Sequence, residues 1–322
     1  MCTCITYHHY FGRNLDLDHS YQEEVTITPR HLSFHFRNGT VLDHHPAMIG
    51  MAYNCDGYPL YYDATNEYGL SIAGLNFPNN AVYTPAEEGR INVAAFELIP
   101  WLLAQYQSVA EVKNVLPQIH LTNEAFAPAL PSAPLHWMIA DQNESIVFEV
   151  TKDGNHVYDD PIGVMTNNPT FDIQLWNLTK YRSVSSEQAP STFATQLQLD
   201  ADSLGMSGIG LPGDWSSSSR FVKAAFTKLN SAAPDQENHL VSQFFHILGA
   251  VEQPRGCSRL GDDKYEITIY SSCCDMETGI YYYHTYDNST IHAVDLHAED
   301  LNTEKLIAYR LVDEPVFDFQ NR

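Results

Sequence analysis

Cys2 stands directly behind Met1, so removal of that methionine would leave a cysteine carrying a free α-amine. A thiol that titrates near about 8.5 and an amine that titrates near about 7.7–8.0 can exchange a proton around neutral pH. Such a residue is a nucleophile with its own base and needs no separate histidine. Arg13 belongs to the same picture through a hairpin. If residues 3–7 form a strand and His8-His9 a two-residue loop, Tyr7 lies opposite Tyr10 and Cys4 opposite Arg13. Arg13 is then diagonal to Cys2 on one face, about 7–8 Å away, within reach of a long side chain. Asp16, just beyond the paired stretch, could hold the protonated amine. Asn76 in Gly74-Leu75-Asn76-Phe77-Pro78 and Asn167 in Met165-Thr166-Asn167-Asn168-Pro169 end apolar runs in tight turns. A backbone N–H at one and a side-chain amide at the other are the donors an oxyanion hole requires. Arg220 follows Leu211-Pro212-Gly213-Asp214 and a serine run, at the start of a helix, where the dipole disfavours a cation. It should therefore serve another group. Taken one at a time, these features have plainer readings: an ordinary cysteine, a surface ion pair, turns that are only turns.

The elements that must position these residues follow from periodicity. Strands are expected at 3–7, 24–28, 31–36, 47–53 and 70–75, then at 136–140 and 145–151, with a third strand after the turn at 152–155. The last strands fall at 265–271, 279–286 and 290–296. A helix is expected over 93–104 with a kink at Pro100. Ser108-Val109-Ala110-Glu111 is a capping box that opens a second helix, which stops near Pro117. Two amphipathic helices, 220–229 and 239–251, flank a polar connection at 230–238. Strands, two helices, strands, two helices, strands is the order of a layered α+β protein with antiparallel sheets. No repeat and no Pro-, Gly- or Ser-rich linker divides the chain, so one domain is expected.

Composition narrows the function. The 322 residues carry 17 Lys and Arg against 40 Asp and Glu, a formal charge of −23, which disfavours binding to a phosphate backbone. A hydrophobic fraction of 44% suffices for a packed core. No apolar run approaches the roughly 18 residues that span a membrane, and the first residues lack the basic head of a secretory signal. Six cysteines are too sparse for a disulfide scaffold, which points to a reducing, cytoplasmic location. His8, His9, His44, His45, His239, His292 and His297 fall in polar stretches and are expected at the surface. A metal-binding protein is the reading from a different class, invited by Cys2-Thr3-Cys4, Cys273-Cys274 and His31/His35. There is no C-x-x-C or H-E-x-x-H, and a spacing of four does not cluster on a strand.

Together the motifs resemble a known family. Cys2-Thr3, Phe11-Gly12-Arg13-Asn14-Leu15-Asp16, Asn66-Glu67-Tyr68-Gly69-Leu70, Gly74-Leu75-Asn76-Phe77-Pro78, Leu135-His136-Trp137, Thr166-Asn167-Asn168-Pro169, Leu211-Pro212-Gly213-Asp214, Ser219-Arg220-Phe221 and Gly279-Ile280-Tyr281 run in the order of the choloylglycine hydrolases. That family comprises the bile salt hydrolases and penicillin V acylases. The resemblance implies an N-terminal-nucleophile hydrolase with a four-layer αββα sandwich, a homotetramer that uses no metal or cofactor. It implies Cys2 as nucleophile, Arg13 beside the thiol and Asp16 orienting the amine. Asn76 and Asn167 take the oxyanion-hole and amine-binding positions, and Arg220 stabilises the transition state. Asparagine at position 76, where penicillin V acylases tend to carry tyrosine, favours conjugated bile salts as substrate; the alternative is an acylase for penicillin V or N-acyl homoserine lactones. The steroid would lie on Leu, Ile, Phe and Met side chains. Cys4 departs from the small residue usual there and could shield, cross-link to or compete with Cys2. The loops 79–88 and 123–134, read as walls of the substrate pocket, also differ from familiar members. If Met1 stayed in place, the blocked amine would leave an inert binding protein of the same fold.

Overall fold

The first hairpin sets the frame for everything around it. In the computed structural model, which describes residues 1–233, 236 and 238–321, β1 (Cys2–Tyr7) pairs antiparallel with β2 (Tyr10–Leu17). Tyr7 faces Tyr10, Cys4 faces Arg13 and Cys2 faces Leu15, the register expected from the two-histidine loop. His8 takes a positive φ of 52° to make the turn. These strands lie inside a six-stranded sheet in the order Val164–Met165, β1, β2, Ile267–Asp275, Ile280–Thr285, His292–Asp295. An eight-stranded antiparallel sheet faces it, in the order Gly154–Asp159, Ser145–Thr151, Leu135–Ala140, Ser71–Asn76, Tyr58–Asn66, Met48–Cys55, Glu24–Thr28, Ile307–Arg310.

Helices close both outer faces. On the eight-stranded sheet, α1 (Leu98–Leu103) packs on Tyr58–Asn66 and Ser71–Asn76, and α2 (Val109–Val115) adds Val109, Val112 and Val115 to the same apolar cluster. On the six-stranded sheet, α4 (Ser217–Asn230) and α5 (Asn238–Gly249) cover β1 and β2, while α3 (Phe171–Asn177) packs on α4. The result is the expected αββα sandwich. β2 and Ile267–Asp275 are covered on both faces and are buried over almost their whole length. A strand in that position must pair every polar side chain it carries, and β2 carries three: Arg13, Asn14 and Asp16.

The structure departs from the sequence reading in several places. Residues 93–104 are not one helix: Ile91–Ala94 is a strand parallel to Ile119–Thr122, a 3₁₀ turn follows, and α1 is six residues long. Pro100 is the third residue of α1, where an N–H would lack an intrahelical partner, so it helps begin the helix and does not kink it. Within 31–36 only Phe34–His35 is paired, with Val41–Leu42. Ser108 caps α2 as expected, accepting from Glu111 N at 3.3 Å, while the Glu111 carboxylate accepts from Gln107 N at 2.8 Å. His45 is buried, not superficial: its two ring nitrogens lie 2.8 and 2.9 Å from the carbonyls of Pro46 and Leu32. Of the polar connection at 230–238, positions 234, 235 and 237 lie outside the described residues. Among the described residues, no helix is long and apolar enough to cross a membrane.

Gly12 shows how tightly the sheet is closed beside the site. A Cβ there would lie 2.0 Å from the backbone oxygen of Ser272 and 2.6 Å from its carbonyl carbon. Gly12→Ala is expected to destabilise the protein by about 1–3 kcal/mol or more by forcing the two strands apart. Urea unfolding at neutral pH measures this, and an unchanged midpoint would contradict the close approach.

Candidate active site

Cys2 opens β1 between the two sheets and is 2% exposed. Its backbone nitrogen, the atom that becomes the α-amine once Met1 is gone, donates to Asn167 Oδ1 at 2.7 Å. The same oxygen accepts from Arg220 Nη2 at 2.8 Å, while Asn167 Nδ2 donates to the Asn76 carbonyl at 2.7 Å. Two donors on one end and a carbonyl on the other fix which way the amide points, and Nδ2 keeps a second hydrogen. Asn76 ends its strand in a telling way. Phe77 N donates to Pro134 O at 2.7 Å, which makes Asn76 and Leu135 a non-hydrogen-bonded pair. The N–H and C=O of Asn76 therefore point away from Leu135, toward the side where the ladder with Tyr58–Asn66 has already ended at Asp63–Ala73. The carbonyl meets Asn167, the N–H points to the same side, and Asn76 lines the cavity.

Arg220 lies in the first turn of α4, fully buried. Its Nη1 donates to Cys2 O at 2.5 Å and Thr3 Oγ1 at 2.7 Å, and its Nε to Trp215 O at 3.0 Å. The cation that the helix dipole disfavours is held instead by β1 and Asn167. Asp16, on β2, receives a hydrogen bond from Thr268 Oγ1 at 2.6 Å on Oδ1. Its Oδ2 is buried, has no hydrogen-bond partner and lies 3.9 Å from Arg220 Nη1. Burial raises the Asp16 carboxyl above its ordinary range, against the pull of Arg220 and the amino terminus. The Met1 amine donates to the Asp16 backbone carbonyl at 2.9 Å and touches Glu266, and burial lowers its pKa.

Arg13 is fully buried and lines the same cavity as Cys2. Its Nη1 donates to Gly74 O at 2.6 Å and Tyr62 O at 3.0 Å, and its Nε has no hydrogen-bond partner. Burial by itself would lower its pKa; the neighbouring Cys2, Tyr270 and Asp63 outweigh that and push it up. Asp63 accepts from Tyr281 Oη at 2.7 Å and Tyr270 Oη at 2.9 Å. This acid and its two tyrosines escaped the sequence reading. The signal was present as an aspartate inside the otherwise uncharged strand Tyr58–Asn66. Cys4, opposite Arg13, is fully buried, and burial raises its thiol well above the ordinary value, so it is a neutral thiol at neutral pH. It does not line the cavity.

That cavity holds about 470 Å³, within the range of small-molecule pockets. Cys2, Arg13 and Asn76 lie on its lining, with Leu15, Leu60 and Phe96. The apolar wall is made of leucine, phenylalanine, tyrosine, alanine and proline, without the isoleucine and methionine expected. Residues 126 and 129–134 of the loop 123–134 form one wall, as expected. The loop 79–88 does not line it: Tyr83 Oη donates to Leu135 O at 2.6 Å and accepts from Leu135 N at 2.8 Å, which ties that segment to the end of a strand. All six sequence-selected residues thus meet in one place: a thiol, two buried guanidinium groups, a buried carboxylate and amide donors beside an apolar hollow. Such a set can attack a carbonyl, hold an oxyanion and protonate a leaving group. Among the described residues no group of His, Cys, Asp and Glu is arranged to hold a metal ion.

Comparison with known proteins agrees over the whole chain. The profile of the linear amide C–N hydrolases, choloylglycine hydrolase family, matches residues 2–309. A bile salt hydrolase/transferase of Lactiplantibacillus plantarum is 55% identical over 317 residues, 98% of each chain. A bile salt hydrolase/transferase of Clostridium perfringens is 36% identical over 94% of this chain and 93% of its own. Among solved structures, conjugated bile acid hydrolase from Clostridium perfringens superposes with a TM-score of 0.92 at 34% identity and full coverage of both chains. Penicillin V acylase from Agrobacterium tumefaciens shares the fold, with a TM-score of 0.76 at 16% identity over 98% of this chain and 94% of its own.

The start of α4, which delivers Arg220, offers a pH test. Asp214 accepts from Ser216 N at 2.9 Å and Ser219 Oγ at 2.6 Å, and hydrogen bonds from these two serines hold its carboxyl down at about 2. The folded value lies below the unfolded one near about 3.9, so its contribution to stability is present above that value and is lost as the pH falls toward 2. The stability difference between the unaltered protein and Asp214→Asn, measured by urea unfolding, is expected to be constant down to about pH 4 and to shrink below it. A difference that persists undiminished at the lowest pH would reject this origin.

Proposed function

The chain belongs to the choloylglycine hydrolase family of linear amide C–N hydrolases, and from that premise we propose that it cleaves the amide joining a bile acid to glycine or taurine, through a thioester on Cys2. The observation that carries this reading is the bond from Cys2 N to Asn167 Oδ1, with the Asn76 N–H and an apolar cavity alongside. The names borne by the relatives at 55% and 36% identity support the substrate. We read residues 1–322 as one domain whose working form begins at Cys2.

The Cys2 sulfur attacks the amide carbonyl, beside the fixed positive charge of Arg13. The oxyanion is held by the Asn76 N–H and the second hydrogen of Asn167 Nδ2. The α-amine, steadied by Asn167 Oδ1 and the Asp16 carboxylate, passes a proton to the departing nitrogen, the C–N bond breaks, and glycine or taurine leaves. The same amine then takes a proton from water, whose oxygen attacks the thioester; the C–S bond breaks and the bile acid is released with the thiol restored. Arg220 fixes the Cys2 carbonyl and the Asn167 amide so that the amine and the oxyanion donors keep one geometry. A different amine in place of water turns the same thioester toward transfer. The substrate is an anion and the chain carries −23, but with a screening length of about 8 Å at physiological salt the nearby Arg13 and Arg220 govern the approach. The resemblance further favours a cytoplasmic homotetramer. The exposed Phe193, Leu204 and Ile209 offer apolar surface for contacts between copies, which sedimentation would detect.

Two measurements test the reading. Intact mass of the active protein should lack one methionine, and that material should release glycine or taurine from conjugated bile salts. Preferential cleavage of phenoxymethylpenicillin or N-acyl homoserine lactones would replace the substrate class. Asn167→Ala should lower kcat by about 10²–10³, the effect of losing one oxyanion donor, and Cys2→Ala should abolish turnover.

A further inference from the structure

His136 and Glu149 form a buried pair that the chemistry above does not use. His136 sits on Leu135–Ala140, is 1% exposed, and touches both loops that bear the oxyanion donors. Its ring lies flat on Phe77, the residue after Asn76, with centroids 4.2 Å apart and planes 4° from parallel. Its Nε2 lies 2.8 Å from the carbonyl of Thr166, the residue before Asn167. Its Nδ1 lies 3.1 Å from Oε1 of Glu149, which is completely buried on Ser145–Thr151. The same oxygen accepts from Phe171 N at 3.1 Å, four residues beyond Asn167. The pair therefore grips the Asn167 loop at both ends and the Asn76 turn at one.

Counting hydrogens shows why both members are needed. Thr166 O can only accept, so Nε2 must carry a hydrogen. Phe171 N–H brings its own. The contact between Nδ1 and Oε1 needs one more, on the ring or on the carboxyl, so the pair holds two hydrogens and is net neutral in either form. A buried pair of this kind has no uncompensated charge. Glutamine at 149 breaks the set: if its oxygen keeps Phe171 N–H and accepts from Nδ1, a neutral ring has no hydrogen left for Thr166. If its NH₂ turns to Nδ1, Phe171 loses its acceptor.

We propose that His136, locked by Glu149, is a positioning residue that sets the spacing between the Asn76 N–H and the Asn167 side-chain amide. This rests on the oxyanion role proposed for those two asparagines. Because the brace acts on donors used in the transition state, its loss should appear in kcat and not in KM.

The test compares Glu149→Gln, His136→Phe and His136→Gln, each assayed well below its own melting temperature. Glu149→Gln and His136→Phe, the latter keeping a ring on Phe77 but no donor to Thr166, should lower kcat for conjugate cleavage about tenfold or more with KM within about twofold. His136→Gln, which restores a donor, should recover part of that loss; it also serves as the readout should His136→Phe fail to fold. NMR of the unaltered protein should show a downfield imidazole N–H signal that is lost in Glu149→Gln, together with a shift of the Asn167 side-chain amide. Unchanged kcat in folded variants, or a lower melting temperature with no change in kcat, would overturn the proposal. If the unaltered protein cleaves no bile conjugate, the substrate reading fails; the brace is then judged by the Asn167 amide signal alone, which must move in Glu149→Gln or the brace fails too.

Discussion

The constraint on which this architecture depends is the burial of two guanidinium groups beside one sulfur atom. Removing a cation from water costs several kcal/mol unless acceptors replace its hydration. Arg13 finds them in the carbonyls of Gly74 and Tyr62, with Asp63 nearby, and Arg220 in the carbonyls of Cys2 and Trp215, Thr3 Oγ1 and Asn167 Oδ1. Those acceptors come from two sheets and from the segments just before α3 and α4. The charges can be buried only when the layers are in place, and once there they hold the layers in one arrangement.

The same economy runs through the strand ends. The ladder between Ser71–Asn76 and Tyr58–Asn66 stops at Asp63–Ala73 although both strands continue, and the carbonyls left free at Tyr62, Gly74 and Asn76 are taken by Arg13 and Asn167. The gap in the ladder is where the cavity begins. A break between two inner strands here supplies the backbone groups of the site, beside an apolar wall. Low local dielectric then makes each dipole aimed at the cavity more effective than it would be in solvent.

Much of this was legible along the chain because it depends on local spacing. The hairpin register followed from two histidines between alternating runs, and it put Arg13 diagonal to Cys2. Arg220 was marked by a local conflict, a cation at a helix start. Asn76 and Asn167 were marked only as turn residues, and the family pattern raised them above the many turns that do nothing. The helix expected over 93–104 failed because its first two residues, Val93 and Ala94, belong to a strand that pairs with Ile119–Thr122, a partner that helical periodicity cannot reveal. His45, read as superficial, is buried with its ring nitrogens 2.8 and 2.9 Å from the carbonyls of Pro46 and Leu32, surroundings that a polar neighbourhood in sequence gives no hint of.

The chain by itself marked the six residues that meet around Cys2, the register of the first hairpin and the layered antiparallel class, since each is signalled by residue type and by separations of a few positions. Only the tertiary structure decided that Asp63, held by Tyr270 and Tyr281, lies near Arg13, that Cys4 is a neutral buried thiol, and that His136 and Glu149 underlie both asparagine loops. The physical reason is distance along the chain. The partners in these contacts lie 13 to 218 positions apart, and a hydrogen bond or a desolvated charge depends on proximity in space, which no local pattern encodes.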